Sequence, residues 1–119
     1  MAYVDGFIVA VPKKNLEAYR ELSSKAGAVW KEYGAVTYVE CVADDVKPGT
    51  LTSFPQAVQL QPDEVVVFAW ITYKSRAQRD SVNDQVMKDP RLAGMMDPSK
   101  SVFDHKRMIF GGFETIVEL

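Results

Sequence analysis

Residues 3–12, YVDGFIVAVP, are rich in Val, Ile and Phe and end on a proline, which cannot donate to a central ladder; the pattern predicts one strand. From Asn15 the period changes. Leu16, Tyr19, Leu22, Ala26, Val29, Trp30 and Tyr33 recur mostly at intervals of three and four, which places them on one face of a helix. Asn15 is positioned to accept from the free N–H groups of the first turn, Glu17 suits the positive end of the helix dipole, and Gly34 can adopt the left-handed conformation that ends a helix.

Residues 36–43 interleave β-branched and aromatic residues with polar ones and predict a second strand, with Cys41 inside it. Residues 44–63 contain Pro48, Gly49, Pro55 and Pro62, carry no periodicity and read as a long loop. A third strand over 65–73 has the strongest signal in the chain, and its near-continuous apolar run predicts burial on both faces. Ser75 with Gln78 three residues on forms a capping box that opens a second helix, which runs to about Asp89 and stops before Pro90. Residues 91–105 read as irregular, with Met95, Met96 and Phe103 as core plugs. A fourth strand is expected over 107–119, with a bulge or a close backbone approach at Gly111 and Gly112.

The order βαββαβ predicts an α+β, ferredoxin-like domain spanning 1–119: a four-stranded antiparallel sheet with both helices on one face. Strand alternation divides the side chains into two sets. Val4, Gly6, Ile8, Ala10, Val39, Cys41, Ala43, Val65, Val67, Ala69 and Ile71 are small and aliphatic, so this set is assigned to the helices. Tyr3, Asp5, Phe7, Val9, Tyr38, Glu40, Val42, Val66, Phe68, Trp70 and Thr72 are then assigned to the opposite face. An aromatic patch of that kind marks an interaction surface, and a self-complementary one predicts a two-fold homodimer. Two such sheets face to face would close a dimeric α+β barrel around a lumen.

The stretch LTSFP at 51–55, the run DEVVVF at 63–68 followed by Trp70, and the tail KRMIFGGFE at 106–114 resemble the uncharacterised bacterial YbaA-like family, a domain of unknown function. The resemblance covers essentially the whole chain. It implies the dimeric α+β barrel fold and carries over no activity.

Composition narrows the function classes. Fourteen Lys+Arg against sixteen Asp+Glu give a formal net charge of −2, which argues against nucleic acid and anionic membrane surfaces as partners. One cysteine and one histidine cannot form an internal disulfide or a Cys/His zinc site, no apolar run reaches bilayer length, and no basic leader pattern precedes the first strand; a cytoplasmic protein without a cofactor is expected.

Within the expected lumen, Asp5 and Glu40 are the candidate acid and base, or else are bonded to a basic or hydroxyl group such as Arg107 or Thr72. Phe7, Tyr38, Phe68 and Trp70 are either interface packing or a stacking surface for a small apolar or aromatic ligand. His105 is a loop histidine or a base or axial haem ligand, Cys41 a buried inert thiol, and Lys74, Arg76 and Arg79 a solvated helix start rather than an anion site. Phe54, Val58 and Leu60 give the 44–63 loop apolar anchors, so it is expected to fold over the barrel end or reach the other subunit, with Phe54 largely buried, as a lid or a dimer clasp. Two functions are compatible with this pattern: a dimeric small-molecule-binding or accessory module, or a small enzyme of the cofactor-independent monooxygenase type using the lumen carboxylates.

Overall fold

In a computed structural model, residues 2–95 and 97–119 are described. The elements are β1 (Tyr3–Pro12), α1 (Leu16–Glu32), β2 (Thr37–Val42), α2 (Phe54–Ala57), β3 (Glu64–Tyr73), α3 (Arg76–Met87), α4 (Pro90–Met95) and β4 (Ile109–Glu114), with 3-10 turns at Lys13–Asn15, Pro98–Lys100 and His105–Arg107. The strands form one antiparallel sheet in the order β2-β3-β1-β4, the ferredoxin-like topology. The two most continuously apolar segments, β1 and β3, take the centre, where both faces can be covered. Within the chain the sheet stays open and is not closed into a barrel.

The helix ends show how the sequence sets the layer. Gly34, at φ +116°, ends α1 in a conformation that a side chain would strain. The Ser75 hydroxyl accepts from the Gln78 N–H at 3.1 Å and caps α3. Gln78 does not return the bond to Ser75: its carboxamide accepts from Lys74 N at 2.6 Å and donates to the Gly34 carbonyl at 2.9 Å, tying the start of α3 to the end of α1. Asn15 does not cap α1 either; its amide donates to the Val102 carbonyl at 3.0 Å, and the chain enters the helix through a 3-10 turn.

The loop 44–63 contains the one-turn helix α2, capped by Ser53, which accepts from Gln56 N, with Pro55 in its first turn. Its anchor is Val58, fully buried against Ala10 and Val66 with Ile8, Ala43 and Leu60 around them. Phe54 is 44% exposed, contrary to the expected burial, because α2 lies at the border of the sheet and offers it only the edge of Phe68, ring centroids 5.7 Å apart. The 91–105 stretch is less irregular than expected, since Pro90 begins α4 as an N-terminal proline can. Met95 and Phe103 are half-buried; Met96 lies outside the described residues. Strand β4 ends at Glu114, and its pairing runs unbroken from Tyr3↔Glu114 to Ile8↔Ile109, so the two glycines make no bulge.

The assignment of faces requires correction. Tyr3 pairs with Tyr73, Asp5 with Ile71 and Phe7 with Ala69, while Tyr38 and Glu40 pair with Ile71 and Ala69 from the other side. Directly opposed residues share a face, so Asp5, Phe7, Tyr38 and Glu40 lie with Val67, Ala69 and Ile71. That is the helix side, where Tyr3, Ile71 and Tyr73 pack on Val29 of α1 and Val82 and Val86 of α3. Val4, Ile8, Val39 and Cys41 fall with Phe68 and Trp70 on the open side, and Cys41 is exposed rather than buried. Grouping by residue size placed β3 correctly and inverted β1 and β2. Both faces are apolar, so size could not fix the register, and a slip of one residue exchanges them.

Helix α1 comes close enough to β2 that a Cβ at Gly27 would meet three ring atoms of Tyr38, at 2.5, 2.8 and 3.0 Å. Gly27→Ala is therefore expected to lower stability by about 2 kcal/mol through overpacking, read as a drop in the denaturant midpoint. Gly94→Ala, with no atom within 4 Å of the added Cβ, is the control and should leave the midpoint unchanged or raise it.

Candidate functional site

Between the two buried clusters on the helix side, the layers separate. Toward one end of the sheet Tyr3, Ile71 and Tyr73 meet α1 and α3; toward the other Val9, Val11 and Val67 meet Tyr19. In the gap, the small Ala69 at the centre of β3 leaves a cavity of about 530 Å³. Its floor is Asp5, Phe7, Glu40 and Ala69; its walls are Leu22, Ala26 and Trp30 from α1, Asn83 and Met87 from α3, and Leu92 and Met95 from α4. Phe103, His105, Met108 and Phe110 complete the rim. The volume lies in the ~300–1,000 Å³ range of small-molecule sites, and the lining is mainly apolar with a few polar groups, as such sites are.

One end holds a buried ion pair. The Arg79 Nε stands 3.4 Å from Asp5 Oδ1, and Arg79 Nη2 donates to the Tyr3 hydroxyl at 3.0 Å. Strand β4 admits this guanidinium because Gly112, paired with Asp5, has no side chain: a Cβ there would lie against Arg79 Nη2 and the Tyr3 hydroxyl. The Arg79 Nε is buried and finds no hydrogen-bond acceptor among the described residues, its line to Asp5 being too poorly directed. Burial works against the Arg79 charge, but the bond to Tyr3 and the field of Asp5 outweigh it and raise its pKa. Burial also raises the pKa of Tyr73, reinforced by the Asp5 charge.

The other end is built on Glu40. Tyr19 donates to its Oε1 at 2.5 Å and Tyr38 to its Oε2 at 2.8 Å. Both phenols have raised pKa values, first because they are buried and then because the Glu40 charge opposes a second negative charge beside it. The same three residues also border a second hollow of about 600 Å³ between α1 and β2, with Arg20 and Lys31 on its rim.

Of the residues singled out in the sequence, the cavity thus gathers Asp5, Phe7, Tyr38 and Glu40, beneath the helices rather than in a lumen between sheets, and Trp70 also borders it. Asp5 and Glu40 stand on strands separated by β3, two strand spacings of ~4.8 Å apart, and hold separate partners. Phe68 and Trp70 are on the open face, edge to face with centroids 5.7 Å apart. Arg107 does not reach either carboxylate: it pairs with Glu64 at 2.6 Å. Thr72 shares a hydrogen bond with Thr37 on the open face. His105 is exposed at the rim, its ring 4.2 Å from that of Phe103. The loop 44–63 contributes nothing to the cavity lining, so it is not a lid on this site.

Arg79, read from sequence as part of a solvated helix start, is only 22% exposed in its side chain. Its spacing of three and seven from Val82 and Val86 was the available signal, since those intervals share a helix face. Tyr19 and Trp30 sat in the apolar stripe of α1, which marked them as packed but not as lining a void. Among the described residues no helix is long and apolar enough to cross a membrane.

Residues 2–105 match the family described as "Protein of unknown function (DUF1428)". Proteins described as "Uncharacterized protein YbaA" from Escherichia coli (strain K12) and Shigella flexneri are each 48% identical to the chain over 118 residues, covering 99% of it and 99% of their own length. Among solved structures, a dimeric ferredoxin-like protein from an uncultured marine organism aligns over the whole of both chains with a TM-score of 0.55 and 14% identity. An uncharacterized NIPSNAP domain protein from Burkholderia xenovorans aligns over 95% of this chain and 93% of its own, with a TM-score of 0.55 and 10% identity. At these identities the likeness is one of fold.

Proposed function

The chain belongs to the DUF1428 family of proteins of unknown function, and from the cavity between its sheet and helices we propose that it is a cytoplasmic, homodimeric small-molecule-binding or accessory module. The single observation that carries this reading is the cavity of about 530 Å³, lined mainly by apolar side chains such as Phe7, Leu22, Ala26, Trp30, Met87 and Leu92, with the carboxylates of Asp5 and Glu40 at opposite ends. Such a shape suits a small, mostly apolar or aromatic ligand. Asp5 is held by Arg79 and Glu40 by two tyrosines, which supports recognition more than proton transfer between the carboxylates. The homodimer is supported by the apolar part of the open side that the 44–63 loop leaves exposed, at Phe68, Ile109 and Phe113, and by the marine ferredoxin-like protein described as dimeric.

The test is an NMR titration of the intact protein with naphthalene. Shifts are expected at the Trp30 indole N–H, which donates to Asn83 at 3.0 Å, and at the Asn83 side chain. Shifts confined to Phe68, Ile109 and Phe113, or none up to the solubility of naphthalene, would overturn the reading.

A further inference from the structure

We infer that the Glu40 end of the cavity selects a ligand bearing a hydrogen-bond donor, a hydroxyl or an N–H, and rejects one bearing a carboxylate or phosphate there. This rests on the reading of the cavity as a ligand site and adds the chemistry of its occupant. Each tyrosine hydroxyl owns one proton, and both protons are already given to Glu40, Tyr19 to Oε1 and Tyr38 to Oε2. Neither phenol can lose its proton near neutrality, because burial and the adjacent Glu40 charge raise both pKa values, so the direction of these bonds is fixed.

A carboxylate has about four lone-pair directions and the two tyrosines use two. What these three groups leave to a ligand is acceptor capacity alone: the free lone pairs of Glu40 and those of the phenol oxygens. A ligand acceptor would face lone pairs with no proton between them, and a ligand anion would add like-charge repulsion from Glu40. A ligand donor would complete the set. Phe7 and Ala69 lie across the strands from Glu40 in one row of the sheet, so an apolar ring on this floor can direct its donor along the row to the carboxylate. The one cation lining the cavity among the described residues, Arg79, is at the other end with Asp5.

Three probes of one shape separate the possibilities: naphthalene, 2-naphthol and 2-naphthoate, titrated into the intact protein by NMR or calorimetry. In the natural sequence 2-naphthol is expected to bind about tenfold or more tightly than naphthalene, the gain of a hydrogen bond to a charged acceptor, and 2-naphthoate more weakly than either. In Glu40→Gln the advantage of the naphthol over naphthalene should shrink to within about twofold, since the site then contains an N–H₂ group. Equal binding of naphthol and naphthalene, tighter binding of naphthoate, or an undiminished preference in Glu40→Gln would overturn the inference while leaving the cavity a ligand site. If no probe binds, the ligand-site reading fails and this inference with it. Should Glu40→Gln not fold, Tyr19→Phe decides: freeing one Glu40 lone pair should keep or increase the naphthol preference, and its loss would refute the role of Glu40.

Discussion

Arg107→Ala is expected to lower stability by about 3 kcal/mol at neutral pH, seen as a marked fall in the denaturant midpoint. Arg107 is a bidentate partner of Glu64, with Nη1 to Oε1 at 2.7 Å and Nη2 to Oε2 at 2.6 Å, and the Glu64 side chain is only 5% exposed. Removing one member of such a pair leaves a buried carboxylate without a counter-charge. The same guanidinium donates to the Gln59 carbonyl at 3.0 Å and to Asp104 at 3.1 Å, so it joins the end of the 44–63 loop, the start of β3 and the turn before β4. Gln59 adopts φ +50°, an unfavourable conformation for a side chain, and its carbonyl is one of those that Arg107 holds. Arg107 sits at the lower end of the range for buried pairs because it is 18% exposed itself.

The loss should depend on pH with a definite sign. The bonds from Arg107 lower the pKa of Glu64 from its ordinary 4.5, against the opposing effect of burial. A depressed carboxyl pKa gives stability that is fully present above 4.5 and lost as the pH falls through the lower, folded value. Without Arg107, burial favours the protonated form, and the backbone bond from Gln61 is what remains to hold the charge. The deficit of Arg107→Ala should therefore be largest near pH 7 and shrink as the solution is acidified toward pH 4. Paired unfolding curves at the two pH values check it, and a deficit independent of pH would show that the lost interaction is the carbonyl clip and not the ion pair.

The fold was legible because its determinants are local. The three-and-four spacing of α1, the Ser75 and Gln78 start of α3, the breaks at Gly34 and Pro90, and the continuous apolar runs of β1 and β3 each specify an element without reference to a partner strand. The site was half legible. Asp5, Phe7, Tyr38 and Glu40 were found as a set because they share strand parity, and they do share a face. Which layer that face meets was not encoded in their residue types: α1 and α3 bring aromatic and aliphatic side chains that pack equally well on Tyr3 or on Val67, and the open side is apolar as well. The partners were assigned by charge alone, so Arg107 was offered to Asp5. Its true partner, Glu64, sits at the start of β3, where a folded-back loop brings both groups out of water. Arg79 was missed for the converse reason: among Lys74 and Arg76 it looked solvated, and only the absence of a side chain at Gly112 makes room for it.

Phe68→Asp is expected to convert the protein from dimer to monomer, with the dissociation constant rising at least ~100-fold. On the open side of the sheet Phe68 is 43% exposed at the middle of a central strand, between the edges of Phe54 and Trp70 and across from Ile8 and Cys41. Ile109 and Phe113 on β4 extend the apolar surface to the sheet edge, 42% and 63% exposed. Two copies related by a two-fold axis would bury this face against itself and place Phe68 near its centre, where a carboxylate would find no counter-charge among Val4, Ile8, Val39 and Trp70. In the single chain the same position is open to solvent, so an aspartate there should cost little and the unfolding transition of the monomer should persist. Light scattering coupled to sizing checks both halves. The natural sequence should give about twice 13.3 kDa at micromolar concentration and Phe68→Asp about 13.3 kDa with unchanged far-ultraviolet circular dichroism. A monomeric natural protein, or a Phe68→Asp variant that still gives twice the chain mass, would remove the open face as the dimer surface.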